Sequence, residues 1–295
     1  MRIRLTVLAG VSLSLLLLPL RLAAQGARAE LLAADRAASD LSSDSGLVAT
    51  LVKSLDRDGV LLWPGAPVVV GAEQAKRLMV AISTPDTTRL TWQPLGVELA
   101  RDSTLGVTWG VAVITPRLTP GAPHLGRYTA AWRRGDGRWT ISALLFTGVK
   151  PVATGPAPGI PLSRSPARAT GPAGHFVAAD LAFARLAGDS SAVVAFRTWA
   201  APEAIVSGGS GLLTRGPDAI ASGVAGPAVW RWHPVAAGSS RTGDLGWTAG
   251  EAVIKPETGD PSYSKYLTVW IRPPGSPIRF LTDGGNARPA TINPP

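Results

Sequence analysis

The chain repeats itself, and this feature constrains its fold most, because an overlooked repeat leads to the wrong architecture. Residues 32–35 (LAAD) recur as 177–180 (VAAD), at an offset of 145 residues. Further along, the offset falls to 140 and then to 138, a decrease that a few loop deletions would leave behind. We therefore predict two copies of one domain. The other aligned pairs are 71–75 (GAEQA) with 216–220 (GPDAI), 91–94 (TWQP) with 231–234 (RWHP), 105–110 with 245–250, 112–116 with 252–256, and Tyr128 and Trp132 with Tyr266 and Trp270.

The N-terminal residues resemble a secretory signal peptide. Arg2 and Arg4 precede an apolar run that ends at Leu20, and small residues follow before Gln25. The run is shorter than the roughly 20 apolar residues that a spanning helix needs. We therefore predict cleavage after Ala24, a periplasmic or secreted location and no membrane association after cleavage. The alternative is retention as a membrane anchor.

The amino-acid composition of the remaining chain indicates where the two domains begin and end. Residues 149–174 are rich in proline and glycine and poor in large apolar side chains, so they cannot supply a core. Residues 286–295 include three prolines and are expected to fray. The predicted organisation is a signal peptide (1–24), a first domain (27–148), a linker (149–174), a second domain (175–285) and a flexible tail (286–295).

Charge and cysteine content exclude several classes of function. The net charge of +9 is spread along the chain without a basic cluster, which argues against a nucleic-acid partner. The chain has no cysteine, so disulfides and thiolate chemistry are excluded. Its three histidines lack the spacing of a metal site, and no phosphate-binding loop occurs. We predict neither a metal nor a cofactor.

The hydrophobic pattern predicts helices before a run of long strands in each copy, which is typical of an α+β fold with a helix layer against one sheet. In the first copy we expect helices over 27–45, 46–55 and 72–82, short strands over 59–63 and 67–70, and long strands over 89–100, 105–115, 125–134 and 138–146. In the second we expect helices over 176–188, 190–200 and 217–223, short strands over 204–207 and 212–215, and long strands over 230–236, 245–254, 265–272 and 278–282.

This element order, with several short phrases, resembles the nuclear transport factor 2-like (NTF2-like) superfamily, near bacterial domains of unknown function grouped with SnoaL-like polyketide cyclases and ketosteroid isomerases. The resemblance implies two cone-like α+β domains, each with three helices on a curved, mostly antiparallel sheet of about six strands. It also implies that the copies pair within the chain as a pseudo-dimer. The phrases are 63–67 (WPGAP), 71–73 (GAE), 92–94 (WQP), 105–110 (LGVTWG) and 126–132 (GRYTAAW).

The candidate acid groups are Asp35 and Asp180, which match between the copies on the first helix of each. An isomerase of this superfamily would need a carboxylate base in the cone, opposed by a tyrosine and a protonated acid. The two aspartates could point into the cone. We favour the alternative, a solvated helix face, because an isolated acidic side chain is seldom buried. We predict no catalytic residue.

Tryptophan is the most informative residue type, because most of the ten lie on predicted strands. They could line a cavity for an apolar ligand, or they could fill the core with each indole N–H bonded locally. The candidate ligand-binding residues are Trp63, Trp92, Trp109, Tyr128, Trp132, Trp232, Trp247, Tyr266 and Trp270.

The function predicted from these features is that of an exported, non-catalytic tandem protein that binds a small apolar molecule or a protein partner. One alternative is a lyase-, isomerase- or cyclase-like enzyme that uses the pocket of the first domain. Another is a purely structural pseudo-dimer.

Overall fold

A computed structural model describes residues 9–82, 88–116, 122–149, 167, 169–208 and 210–290. The first domain contains α1 (Ala9–Ser54), β1 (Leu55–Leu62), β2 (Val69–Val70), α2 (Ala72–Ile82), β3 (Thr88–Leu99), β4 (Leu105–Pro116), β5 (His124–Gly135) and β6 (Arg138–Thr147). The second contains α3 (Gly171–Asp189), α4 (Ala192–Trp199), β7 (Ala200–Ser207), β8 (Leu213–Arg215), α5 (Pro217–Gly223), β9 (Ala228–Ser239), β10 (Leu245–Pro256), β11 (Ser262–Ile271) and β12 (Arg279–Ala287).

The long first helix is interrupted once. Gly46 has φ 84° and ψ 163°, a conformation that residues with a Cβ atom rarely adopt. The interruption lies at the predicted boundary between helices 27–45 and 46–55, so the two predicted helices are the two arms of α1. The first of them begins earlier than predicted, at Ala9. Residues 1–8 of the predicted signal peptide lie outside the described part of the chain.

Both copies have the same sheet topology, and this confirms the predicted α+β class with two cone-like domains. The strand orders are β2-β1-β6-β5-β4-β3 and β8-β7-β12-β11-β10-β9. Neighbouring strands are antiparallel except for β1 with β6 and β7 with β12. Within each domain, helices pack on the concave face of the sheet, and we call the enclosed spaces the first cone and the second cone.

The second domain is longer at both ends than the predicted range 175–285. Helix α3 begins at Gly171 with a proline in its first turn, where the missing backbone N–H costs nothing. At the other end β12 continues to Ala287, so Asn286 belongs to the sheet and not to a flexible tail. The Asn286 Nδ2 donates to the backbone oxygens of Leu62, at 2.9 Å, and Phe146, at 2.7 Å. Most of the predicted linker and residues 291–295 lie outside the described residues.

The two domains pack against each other through the convex faces of their sheets. A shared apolar cluster joins Val107 and Leu145 of the first domain with Trp247, Leu267 and Val269 of the second. The predicted pairing within the chain is therefore present as a third hydrophobic core between the two sheets.

Equivalent hairpins also exchange hydrogen bonds across the domain boundary. The backbone N–H of Arg101 donates to Asp244 Oδ2 at 2.9 Å, and the backbone N–H of Thr242 donates to Asp102 Oδ2 at 2.9 Å. Hydrogen bonds from Thr104 and then Thr242 hold the pKa of Asp102 below its usual range, although burial opposes the shift. Those from the Thr242 side chain and then the Arg101 backbone do the same for the pKa of Asp244. The reciprocal bonds give the chain an internal pseudo-twofold relation.

The sheet interface predicts that the domains unfold together. Leu145 is fully buried, and its side chain lies close to Gly284 of the other domain. Leu145→Ala should lower the free energy of unfolding by about 2–5 kcal/mol, because it removes packing from a core that cannot collapse fully. Hydrogen exchange should accelerate in β11 and β12 as well as in β6.

The control is Leu125→Ala, at a position that is 66% exposed, where the change should stay within about 0.5 kcal/mol. Faster exchange confined to the first domain would contradict a shared core.

Candidate functional site

Each cone contains one fully buried aspartate that bonds to two aromatic side chains of the sheet. Asp35 on α1 accepts hydrogen bonds from Trp92 Nε1 at 2.7 Å and from the Tyr128 hydroxyl at 2.5 Å. The prediction that this aspartate lies on a solvated face is therefore wrong. Burial is possible because the indole and phenol, which lie on strands facing the helix, donate to the carboxylate.

The second cone repeats this network. Asp180 on α3 accepts from Trp232 Nε1 at 2.9 Å and from the Tyr266 hydroxyl at 2.8 Å, and it is fully buried as well. Burial raises the pKa of Asp180 to about 6, although the hydrogen bonds oppose the shift. Burial and the adjacent carboxylate raise the pKa of Tyr266, so its hydroxyl stays a donor.

A cavity of about 570 Å³ lies in the second cone beside this network. Its floor is the concave face of the sheet, and α3, α4 and α5 contribute to its walls. The apolar and aromatic side chains that line it include Phe183, Phe196, Val206, Leu212, Ile220, Val224, Trp230, Trp232 and Ile254, and its polar side chains include Thr214, Ser264, Tyr266, Thr268 and Asp283.

Two aromatic rings of the first cone have no counterpart in the second. Tyr128 faces Phe146 across β5 and β6, whereas the equivalent Tyr266 faces Gly285 across β11 and β12. The Phe146 ring lies 5.7 Å from that of Trp63 and 5.8 Å from that of Trp92. Phe146 therefore fills the space beside the retained tyrosine in the first cone, and Gly285 leaves it empty in the second.

Trp63 is the second missing ring. It follows Leu62, which pairs with Leu145 in the parallel β1–β6 ladder, and the equivalent ladder pairs Ser207 with Gly284. Residue 208, the counterpart of Trp63, is a glycine at the mouth of the cavity. Replacement of two large rings by glycine explains why the second cone contains a cavity.

The second cone also gains an acid. Asp283 pairs with Thr268 across β12 and β11, at the position where the first domain pairs Leu144 with Ala130. The Thr268 hydroxyl donates to Asp283 Oδ1 at 2.5 Å. Burial raises the pKa of Asp283 to about 7, and the charge of Asp180 adds to the shift, so this carboxyl is near half ionisation at neutral pH.

The structure separates the nine candidate ligand-binding aromatic residues into groups. Trp232 and Tyr266 line the cavity. Trp63, Trp92 and Tyr128 pack together in the first cone. Trp132 and Trp270 donate their indole N–H to the buried hydroxyls of Thr108 and Thr248. Trp109 and Trp247 lie at the boundary between the domains.

The sequence-based prediction found Trp232 and Tyr266 and missed the other residues of the cavity, including Gly208, Asp283 and Gly285. Retention between the copies identified the buried framework, but the cavity depends on positions where the copies differ. The presence of Gly208 in the second copy, where the first copy has Trp63, is the sequence signal that could have revealed the cavity.

Two features are absent from the described residues. They contain no group of three or more acidic, histidine or cysteine residues arranged to hold a metal ion. Within the same ranges, no helix combines the length and apolar character needed to cross a membrane.

The raised pKa of Asp283 predicts a pH-dependent stability. An aspartate whose pKa rises from an ordinary value of 3.8 to about 7 on folding stabilises the folded state most below pH 3.8, and this contribution is lost as the pH rises to about 7. Asp283→Asn cannot ionise, so at high pH it should exceed the wild type in unfolding free energy by roughly 2–4 kcal/mol, relative to their difference at low pH. Urea titrations at several pH values would measure the difference. Parallel stability curves would contradict the assignment.

No family model matches the chain, and no curated protein matches it. Among solved structures it is similar to an NTF2-like protein with a cystatin-like fold from Novosphingobium aromaticivorans, at 15% identity and a TM-score of 0.33, over 39% of this chain and 80% of that one.

It is also similar to a ketosteroid isomerase-like protein from Erwinia carotovora atroseptica, at 11% identity and a TM-score of 0.33, over 40% of this chain and 93% of that one. A putative scytalone dehydratase from Novosphingobium aromaticivorans matches at 14% identity and a TM-score of 0.34, over 44% of this chain and 86% of that one. Each of these matches covers about two fifths of the chain.

Proposed function

We propose that the second domain binds a small, largely apolar molecule in its cone and releases it unchanged. The observation that carries this proposal is the cavity of about 570 Å³, which exists where the first domain has the rings of Phe146 and Trp63. Its volume lies within the roughly 300–1,000 Å³ typical of small-molecule sites. The first domain then acts as a filled partner that supports the sheet of the second.

The lining of the cavity also resembles that of small-molecule binding sites. Its aromatic and aliphatic walls supply apolar contact area, and a small number of polar groups converge on its floor. The Tyr266 hydroxyl is already engaged with Asp180, which leaves Asp283 as the acid available to orient a ligand.

A second candidate function is supported by Asp283 itself. A carboxyl with a pKa of about 7 at the wall of an apolar cavity suits general acid–base chemistry of the lyase or isomerase type. The enzyme site in this alternative lies in the second domain, whereas the sequence-based alternative placed it in the first. Ligand recovered from protein purified from its native host would separate the two functions, since a binding protein returns it unchanged on incubation and an enzyme converts it.

Export is the second part of the proposal. Residues 24–26 are exposed, and the first buried side chain described in α1 is that of Ala27, so cleavage after Ala24 would remove none of the described core. We expect protein recovered from the periplasm or culture medium of a bacterial host to begin at Gln25 by N-terminal sequencing. Protein that keeps its first 24 residues would contradict the proposed cleavage.

The binding proposal predicts that refilling the second cone abolishes binding. Gly208→Trp restores the ring found at Trp63, and a Cβ atom at this position would meet nothing within 4 Å. Gly285→Phe is less suitable, because its Cβ would lie 2.9 Å from the backbone oxygen of Lys265. Affinity for a naphthalene-based probe, measured by calorimetry, should fall at least about tenfold in Gly208→Trp.

The matched control is Gly188→Trp, at an exposed position of α3 that also has open space around it and does not line the cavity. This variant should bind as the wild type does. Unchanged binding in Gly208→Trp would place the ligand elsewhere.

A further inference from the structure

We propose that the ligand of the second cone is a hydrophobic amine, whose ammonium group pairs with the carboxylate of Asp283 while its apolar body lies among the aromatic rings. This inference rests on the proposed binding function and names the chemical class of the ligand.

The charge of the cavity is the first argument. Among its described lining residues, Asp283 is the one aspartate or glutamate, and these residues include no lysine, arginine or histidine. A cavity that carries a single negative group complements a cation and disfavours an anion. A carboxylate in a largely apolar cavity is costly without a positive partner, so a ligand that supplies the positive charge gains affinity from the pairing.

The hydrogen bonds of Asp283 give the second argument. Thr268 donates to Oδ1, and among the described residues no basic side chain forms an ion pair with this carboxylate. An ionised carboxylate can accept about four hydrogen bonds. The unused acceptor capacity faces the cavity, where an ammonium group with up to three donors can use it.

Two basic residues at the same end of the second sheet, Lys265 and Arg288, have partners other than Asp283. Lys265 precedes Tyr266 on β11, so its side chain points away from the cone. Its Nζ donates to the backbone oxygen of Ala287 at 2.8 Å. The Arg288 guanidinium lies 3.5 Å from Glu251 and over the ring of Tyr263. Neither cation neutralises Asp283.

The aromatic walls give the third argument. Trp230 and Trp232 on β9 and Phe183 and Phe196 on the helices surround the cavity, and the ring centroids of Phe183 and Trp232 lie 4.7 Å apart. The faces of such rings attract cations and also pack well against apolar groups. Together with Asp283, they match a molecule with one ammonium group on a hydrophobic skeleton.

The test compares three probes with one skeleton and different charge: 2-(1-naphthyl)ethylamine, 2-(1-naphthyl)ethanol and 3-(1-naphthyl)propanoate. Calorimetric titration of the full chain near pH 8 keeps Asp283 mostly ionised and the amine mostly protonated. We expect the amine to bind at least about tenfold more tightly than the alcohol, and the carboxylate to bind most weakly.

Asp283→Asn provides the matched variant, since it keeps the size of the side chain and removes its charge. It should weaken binding of the amine about tenfold or more and change binding of the alcohol less than about threefold. Equal affinities for the amine and the alcohol, or an amine affinity that Asp283→Asn leaves unchanged, would overturn the assignment to amines and leave the cavity as a binding site. Absence of binding by all three probes would overturn the binding function itself.

Discussion

The buried aspartate of each cone is the interaction on which the rest of the structure depends. Asp35 and Asp180 each connect the first helix of a domain to two strands, through an indole N–H and a tyrosine hydroxyl. A fully buried carboxylate that lost these donors would be left unsatisfied, and the penalty would be several kcal/mol. The requirement fixes which face of the helix meets the sheet, and it explains why this set of residues is present in both copies.

This retained framework allowed the copies to differ elsewhere. Phe146 lies opposite the retained tyrosine position in the first domain, and Gly285 takes its place in the second. Trp63 of the first domain is likewise replaced by Gly208 of the second. Loss of two rings would normally destabilise a small domain. The core shared between the two sheets adds to the stability of the second domain, because its convex face packs against the first domain. A filled copy thus stabilises an open one.

Much of the fold could be predicted from the sequence, because it is encoded in local patterns. Helix α2 lies over the predicted residues, and the long strands of the first domain differ from prediction by one residue at most ends. The burial of Asp35 could not be predicted, because its donors Trp92 and Tyr128 are 57 and 93 residues away in the chain. Asp283 was missed for the same reason, since only strand pairing reveals that it faces the cone beside Thr268.

The central claim is that one cone is filled and the other is open. A crystal structure determined under xenon pressure would test it most directly, because xenon enters apolar cavities and is visible by its scattering. The account predicts xenon in the second cone, between Trp232 and Gly285, and none between Trp63 and Phe146. Xenon beside Phe146, or a second cone that excludes xenon and is closed by its own side chains, would contradict it.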